Sequence, residues 1–161
     1  MVMTPEIQLV KKLTERGLTL SLAESCTGGM VSRHVTAVSG SSAVFTGGIV
    51  CYADAVKREL LGVPQAVLDT SGAVSRDTAV LLADHVRALL RTDLAAAVTG
   101  IAGPDGGSVD KPVGLVYIAV VGPAARIVRR YVFSGNRECI RRQASATTLS
   151  MLLEQFVSGS H

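Results

Sequence analysis

The sequence predicts an α/β fold: a three-layer α/β/α sandwich around a mixed sheet of about five strands, one of them antiparallel. Three observations predict it. Short apolar runs alternate along the chain with segments of helical period, the pattern of strands and helices packed in layers. Hydrophobic residues make up 48% of the 161 and aromatics only 4%, with 16 glycines and no tryptophan. Such a core is built from Ala, Val and Leu, with helices lying close on the sheet. Finally, the last two apolar runs are joined only by Gly122, Pro123 and Ala124, a connection short enough to require an antiparallel hairpin.

Each element carries its own signals. Thr4-Pro5-Glu6 reads as a helix start, with Ile7, Val10 and Leu13 as its stripe and Gly17 as its C-terminal stop. Residues 18–23 form a short apolar strand that turns through 24–29 into a helix carrying Met30, Val31, Val35 and Val38. A second strand spans 43–52, and a short helix over 53–61 ends at Gly62-Val63-Pro64. Another small helix covers 65–70. Ser75-Arg76-Asp77 opens a longer one through Arg91, with Leu82, Val86, Leu89 and Leu90 facing inward. Residues 94–99 are apolar almost throughout, as expected of a central strand covered on both faces. The hairpin strands are 113–121 and 125–133, and Asn136 caps a last helix bearing Ile140, Ala144, Met151, Leu152 and Phe156.

Residues 1–161 read as one domain, with no linker or internal repeat. The three cysteines, Cys26, Cys51 and Cys139, are far apart and lack metal-site spacing, which predicts a reducing compartment and no metal. Pro5, Glu6, Lys11 and Lys12 break any apolar run at the start, and the stretch 34–53, which lacks Asp, Glu, Lys and Arg, is rich in Ser, Thr and Gly. The expectation is a cytoplasmic protein with no membrane partner. The net charge of +3 is spread along the chain without aromatics to stack on bases, so no nucleic-acid partner is expected. A modest positive field suits a small anionic substrate such as a phosphate ester. The tail 158–161 is set aside.

Two loops carry the candidate chemistry, because ligands of open α/β sheets bind beyond the carboxyl ends of the strands. In the first, Ser25 sits at a strand-to-helix turn, and Gly28 and Gly29 let the backbone approach a ligand closely. Free N–H groups of the following helix point there too. The same residues also read as ordinary helix caps. No histidine lies on a catalytic loop: His34 and His85 sit within helices and His161 at the tail. Lysine is the alternative base, and with Lys11 and Lys12 on the first helix, Lys57 and Lys111 remain. Lys57 follows Tyr52 by one helical turn past a strand end; it is either the base for Ser25 or a solvated helix lysine. Cys26 is the rival nucleophile. The second loop, 100–107, has four glycines, Pro104 and Asp105 and resembles an anion-binding nest, although no Walker or dinucleotide pattern is present. Arg141 and Arg142 stand near the start of the last helix as further charge for a phosphate or carboxylate.

Several motifs in order are similar to one family. They are Leu-Ala-Glu-Ser-Cys-Thr-Gly-Gly at 22–29, Gly-Ile-Val-Cys-Tyr at 48–52 with Lys57 and Leu-Gly-Val at 61–63, and Gly-Ala-Val-Ser at 72–75. Thr-Gly-Ile-Ala-Gly-Pro-Asp-Gly-Gly at 99–107 with Lys-Pro-Val-Gly at 111–114, and Arg-Arg-Gln-Ala at 141–144, complete the set. Together they resemble the CinA C-terminal domain family, whose characterised members are nicotinamide mononucleotide deamidases. The resemblance implies an α/β/α sandwich that hydrolyses the substrate's carboxamide, giving nicotinate mononucleotide and ammonia in pyridine nucleotide recycling, without cofactor or metal. It places the family's serine, tyrosine and lysine on Ser25, Tyr52 and Lys57. Substrate contacts are expected from Glu24, Cys26, Thr27, Gly28, Gly29, Thr99, Gly100 and Gly103, with Arg142 toward the phosphate. A homodimer is the default that the resemblance implies. Many relatives carry a second, N-terminal half linked to nucleotide-pyrophosphate hydrolysis, and none is expected in these 161 residues. The alternative reading is a catalytically idle nucleotide-binding or competence-linked adaptor.

Overall fold

A computed structural model describes residues 2–157, and the tail with His161 lies outside them. Helix α1, Pro5–Arg16, begins with proline in its first turn and stops at Gly17, whose φ of 63° turns the chain out of the helix. The chain then enters β1, Leu20–Glu24, and continues through α2, Met30–Thr36, and a 3-10 turn at Ser41–Ala43 to β2, Phe45–Val50. Three helices follow: α3, Asp54–Glu59; α4, Gln65–Thr70; and α5, Arg76–Leu90. Strands β3, Leu94–Gly100, β4, Leu115–Val121, and β5, Arg126–Val132, lead to the final helix α6, Arg137–Val157.

The five strands form one sheet in the order β2-β1-β3-β4-β5. β1 pairs in parallel with both β2 and β3, while β4 runs antiparallel to β3 and to β5. One strand, β4, thus opposes the other four, as the short 122–124 connection requires. Every residue of β1 is buried, because it is flanked by two strands and covered on both faces.

Strand alternation assigns the two faces. Leu20, Leu22, Ala96, Val98, Val116 and Ile118 pack with residues of α1, α2 and α6. The opposite face offers Ala23, Ala95, Ala97 and Ala119 to Leu82, Ala83 and Val86 of α5. Alanines there let α5 lie close to the sheet, so a core poor in aromatics still buries this face. Ser75 caps α5 by accepting from the Thr78 N–H at 3.2 Å, and Asn136 caps α6 by accepting from the Cys139 N–H at 2.9 Å.

Three expectations shift. The second strand is shorter than 43–52, because the 3-10 turn takes Ser41–Ala43 and the chain leaves the sheet after Val50. Leu89 is half exposed, since the inward stripe of α5 runs through Ala79, Ala83, Val86 and Leu90, and Leu90 fills the space beside Gly47. Ile7 is also exposed, leaving Leu9, Val10 and Leu13 as the buried face of α1. Among the described residues no helix is long and apolar enough to cross a membrane.

Candidate active site

The carboxyl ends of the three parallel strands meet where the chain passes from β1 to α2 on one face and from β2 toward α5 on the other. A cleft of about 220 Å³ opens there, with Ser25, Cys26, Tyr52, Lys57, Thr99 and Gly100 in its wall. Ser25 follows β1 directly. Its N–H donates to the Val98 carbonyl of β3 at 2.9 Å, so the turn is pinned to the neighbouring strand.

Glu24 shapes what comes next. Its carboxylate is fully buried and accepts from Thr27 Oγ1 at 2.7 Å, the Val31 N–H at 2.8 Å, the Ser32 N–H at 3.0 Å and Ser32 Oγ at 2.6 Å. A carboxylate at this point satisfies free donors of α2 and complements its dipole. Glu24 therefore holds the helix start rather than lining the cleft, and Thr27, buried beneath it, does the same. From the far side, Arg141 of α6 donates Nε to the Cys26 carbonyl and a terminal nitrogen to the Thr27 carbonyl, both at 3.0 Å. Gly28, with φ of 60°, lies under that guanidinium, where a Cβ would sit 3.3 Å from it. With these carbonyls clamped from behind, the Cys26 N–H makes no backbone–backbone hydrogen bond among the described residues, and it is the donor adjacent to Ser25.

Lys57 is the decisive side chain. It is only 1% exposed, and its Nζ donates to Ser25 Oγ at 3.0 Å, to the Cys51 carbonyl at 2.6 Å and to the Tyr52 carbonyl at 3.1 Å. The expectation of a solvated helix lysine is thereby excluded. As an ammonium the group has an acceptor for each N–H. As an amine, two N–H groups stay on the two carbonyls and the lone pair faces Ser25 Oγ, which is the arrangement a general base needs. α3 presents Lys57 in this way because Val50 ends β2 beside β1 and the chain re-enters a helix at Asp54.

The remaining candidates divide. Tyr52 is 59% exposed at the mouth, where its Oη accepts from Arg137 at 2.8 Å. Thr99 lines the cleft and donates to the Ala73 carbonyl at 2.8 Å, tying β3 to the 71–75 turn. Gly100 admits no Cβ, which would come 2.7 Å from Val116 and 3.2 Å from Cys26 Sγ. Gly103 accepts from Arg137 through its carbonyl at 2.7 Å. Cys26 has its thiol pushed up to about 12 by burial.

Arg142 is not brought to this cleft. It is 74% exposed, pairs with Glu138 at 3.0 Å, and lines a separate depression of about 470 Å³ between α1, α2 and α6. That depression is larger than the Ser25 cleft but holds no nucleophile beside a base. Arg137, at the start of α6, is the arginine that reaches the cleft, and Asp54 is its acid. Sequence reading missed both, although each stands next to a recognised element boundary. Among the described residues, no group of three or more His, Cys, Asp and Glu is placed to hold a metal. His34 lies in the separate depression, and His85 contacts the Leu61 carbonyl through Nδ1, away from Ser25.

The family model described as CinA C-terminal domain matches residues 3–156. The chain belongs to the CinA C-terminal domain family. It is 48% identical over 155 residues to a CinA-like protein of Geobacter sulfurreducens, covering 96% of this chain and 38% of that protein. A CinA-like protein of Geotalea uraniireducens is 51% identical over 144 residues, 89% of this chain and 34% of its own length. The chain thus spans little more than a third of the curated relatives it matches. Among solved structures, competence/damage inducible protein CihA from Agrobacterium tumefaciens superposes with a TM-score of 0.90 at 40% identity, covering 96% of this chain and 98% of that one. Competence damage-inducible protein A from Klebsiella pneumoniae gives 0.93 at 31% identity, covering 97% of each chain. The family and the α/β/α fold therefore stand together.

Proposed function

We propose that this CinA-family domain is a serine amidohydrolase acting on the carboxamide of nicotinamide mononucleotide. The observation that carries this reading is the buried Lys57 Nζ, 3.0 Å from Ser25 Oγ and fixed by two backbone carbonyls at the floor of a cleft. Burying a lysine is costly unless every N–H is satisfied, and here that cost secures one serine–lysine contact.

Ser25 Oγ attacks the amide carbon while Lys57, as the amine, takes the hydroxyl proton. The oxyanion that forms lies toward the Cys26 N–H and the start of α2. Collapse breaks the C–N bond, and the proton held on Lys57 passes to the departing nitrogen as ammonia. Water then adds to the acyl-serine ester, giving up its proton to Lys57, and the carboxylate leaves with Ser25 restored. The pyridinium ring withdraws electrons from the amide throughout, so a modest nucleophile suffices. A cleft of about 220 Å³ is smaller than the usual ligand pocket of roughly 300 Å³ or more. It takes the ring and amide, leaving ribose and phosphate toward Arg137 and the glycine loop.

The test is ammonia release from nicotinamide mononucleotide by the intact chain, by Ser25→Ala and by Lys57→Ala. Loss of about 10³-fold or more is expected in both variants, as for a nucleophile and its base acting as a unit. Retained turnover in Ser25→Ala would overturn the assignment.

A further inference from the structure

Asp54 is the first residue of α3 and lines the same cleft one helical turn before Lys57. Its carboxylate has no hydrogen bond or ion pair among the described residues. Lys57 does not neutralise it: the three contacts of Nζ go to Ser25 and the carbonyls of Cys51 and Tyr52. Arg137, the other cation of the cleft, is turned to Tyr52 Oη and the Gly103 carbonyl. The cleft therefore holds one exposed carboxylate without a side-chain partner near the serine–lysine pair, and one arginine that ties Tyr52 to the glycine loop.

We propose that Asp54 is a specificity-determining residue that selects carboxamides carried on a permanently cationic ring. The inference rests on the amidohydrolase reading above and assigns the residue that reads the charge of the substrate's ring. A quaternary ring nitrogen offers no N–H, so recognition by hydrogen bonding is closed to it and a carboxylate in the cleft wall is the matching partner. Asp54 also repels anionic groups, which sends a substrate's phosphate toward Arg137 and thereby sets the direction in which a zwitterionic nucleotide lies. The ring keeps its charge from substrate through the tetrahedral intermediate to product. Asp54 thus favours ground state and transition state alike, and its removal falls on KM rather than kcat.

Ammonia release is measured with the full chain and with Asp54→Asn and Asp54→Glu. The substrates are nicotinamide mononucleotide and its riboside, which keeps the charge but lacks the phosphate. The reduced mononucleotide, whose ring is neutral, serves as a competitive inhibitor. Asp54→Asn is expected to raise KM for both cationic substrates about 5- to 10-fold, with kcat within about twofold and the inhibition constant of the neutral-ring nucleotide unchanged or lower. Asp54→Glu should recover most of the loss. An unchanged ratio of cationic to neutral affinity in Asp54→Asn overturns the proposal, as does a loss confined to kcat. Should the unaltered chain release no ammonia from any substrate, the amidohydrolase reading fails instead. Dissociation constants of the oxidised and reduced mononucleotides for the chain and for Asp54→Asn then decide the Asp54 assignment alone.

Discussion

Cys26 and Ser25 are adjacent, and burial separates their chemistry. Both side chains reach the cleft, yet desolvation pushes the Cys26 thiol up to about 12, so the thiolate that makes cysteine the better nucleophile is scarce near neutral pH. Cys51, buried behind Lys57, is raised for the same reason. Cys26→Ala should accordingly keep deamidation within a few-fold of the parent, at the cost of a small cavity. Iodoacetamide at neutral pH should inactivate the parent slowly, and faster as pH climbs toward the native thiol value. Rapid neutral-pH alkylation of Cys26, tracked by mass spectrometry, would contradict its burial. Of the two arginines of α6 near this turn, the unforeseen Arg137 and the anticipated Arg141, the second matters more to the backbone, since it holds the carbonyls of Cys26 and Thr27 instead of standing free for a phosphate.

At the scale of the element, α2 owes its start to one buried carboxylate. Glu24 sits at the end of β1 and accepts four hydrogen bonds from Thr27, Val31 and Ser32. A short helix of 7 residues has little intrinsic stability, so its first turn depends on such anchoring. Glu24→Gln keeps the size but replaces one acceptor oxygen by an N–H₂ group facing donors. The expected cost is about 2–3 kcal/mol in chemical denaturation. Because the turn it secures carries Ser25 and the Cys26 N–H, kcat should fall more than KM rises. A stability loss with unchanged kcat would show that Arg141 alone suffices to hold the turn.

For the whole molecule, acid sensitivity should arise at the sheet end opposite the cleft. Asp93 accepts from the Thr19 N–H at 2.8 Å and from Thr19 Oγ1 at 2.9 Å, joining the entries of β1 and β3. The backbone N–H and then the hydroxyl of Thr19 hold its carboxyl below the usual carboxylate range. A lowered native value means this stabilisation is fully present above the unfolded carboxyl's range near about 3.9 and disappears as pH falls through the native value. Asp93→Asn should lower Tm at neutral pH, and the gap to the parent should close on acidification through that window. A gap that stays constant with pH would assign the loss to packing. Since this contact is remote from Ser25, the same variant should leave kcat unchanged at neutral pH.

Local signals made much of this protein legible. Pro5 and Gly17 bound α1, Ser75 and Asn136 cap α5 and α6, and alternation places Leu22 and Ala23 on opposite faces of the sheet. These depend on a few neighbouring residues and on periods of 2 and 3.6, so they are readable without a fold. The short 122–124 connection likewise determined the one antiparallel strand. The tertiary structure decided which of two roles each site residue takes. Lys57 is a buried partner of Ser25 only because residues 32 positions apart meet where β1 and β2 lie side by side. Tyr52 and Arg137 meet across 85 positions, and Arg142, on the same helix after Arg137, faces away. A helix with 3.6 residues per turn sends neighbouring arginines in different directions, and only the packing of α6 on the sheet selects the one that reaches the cleft.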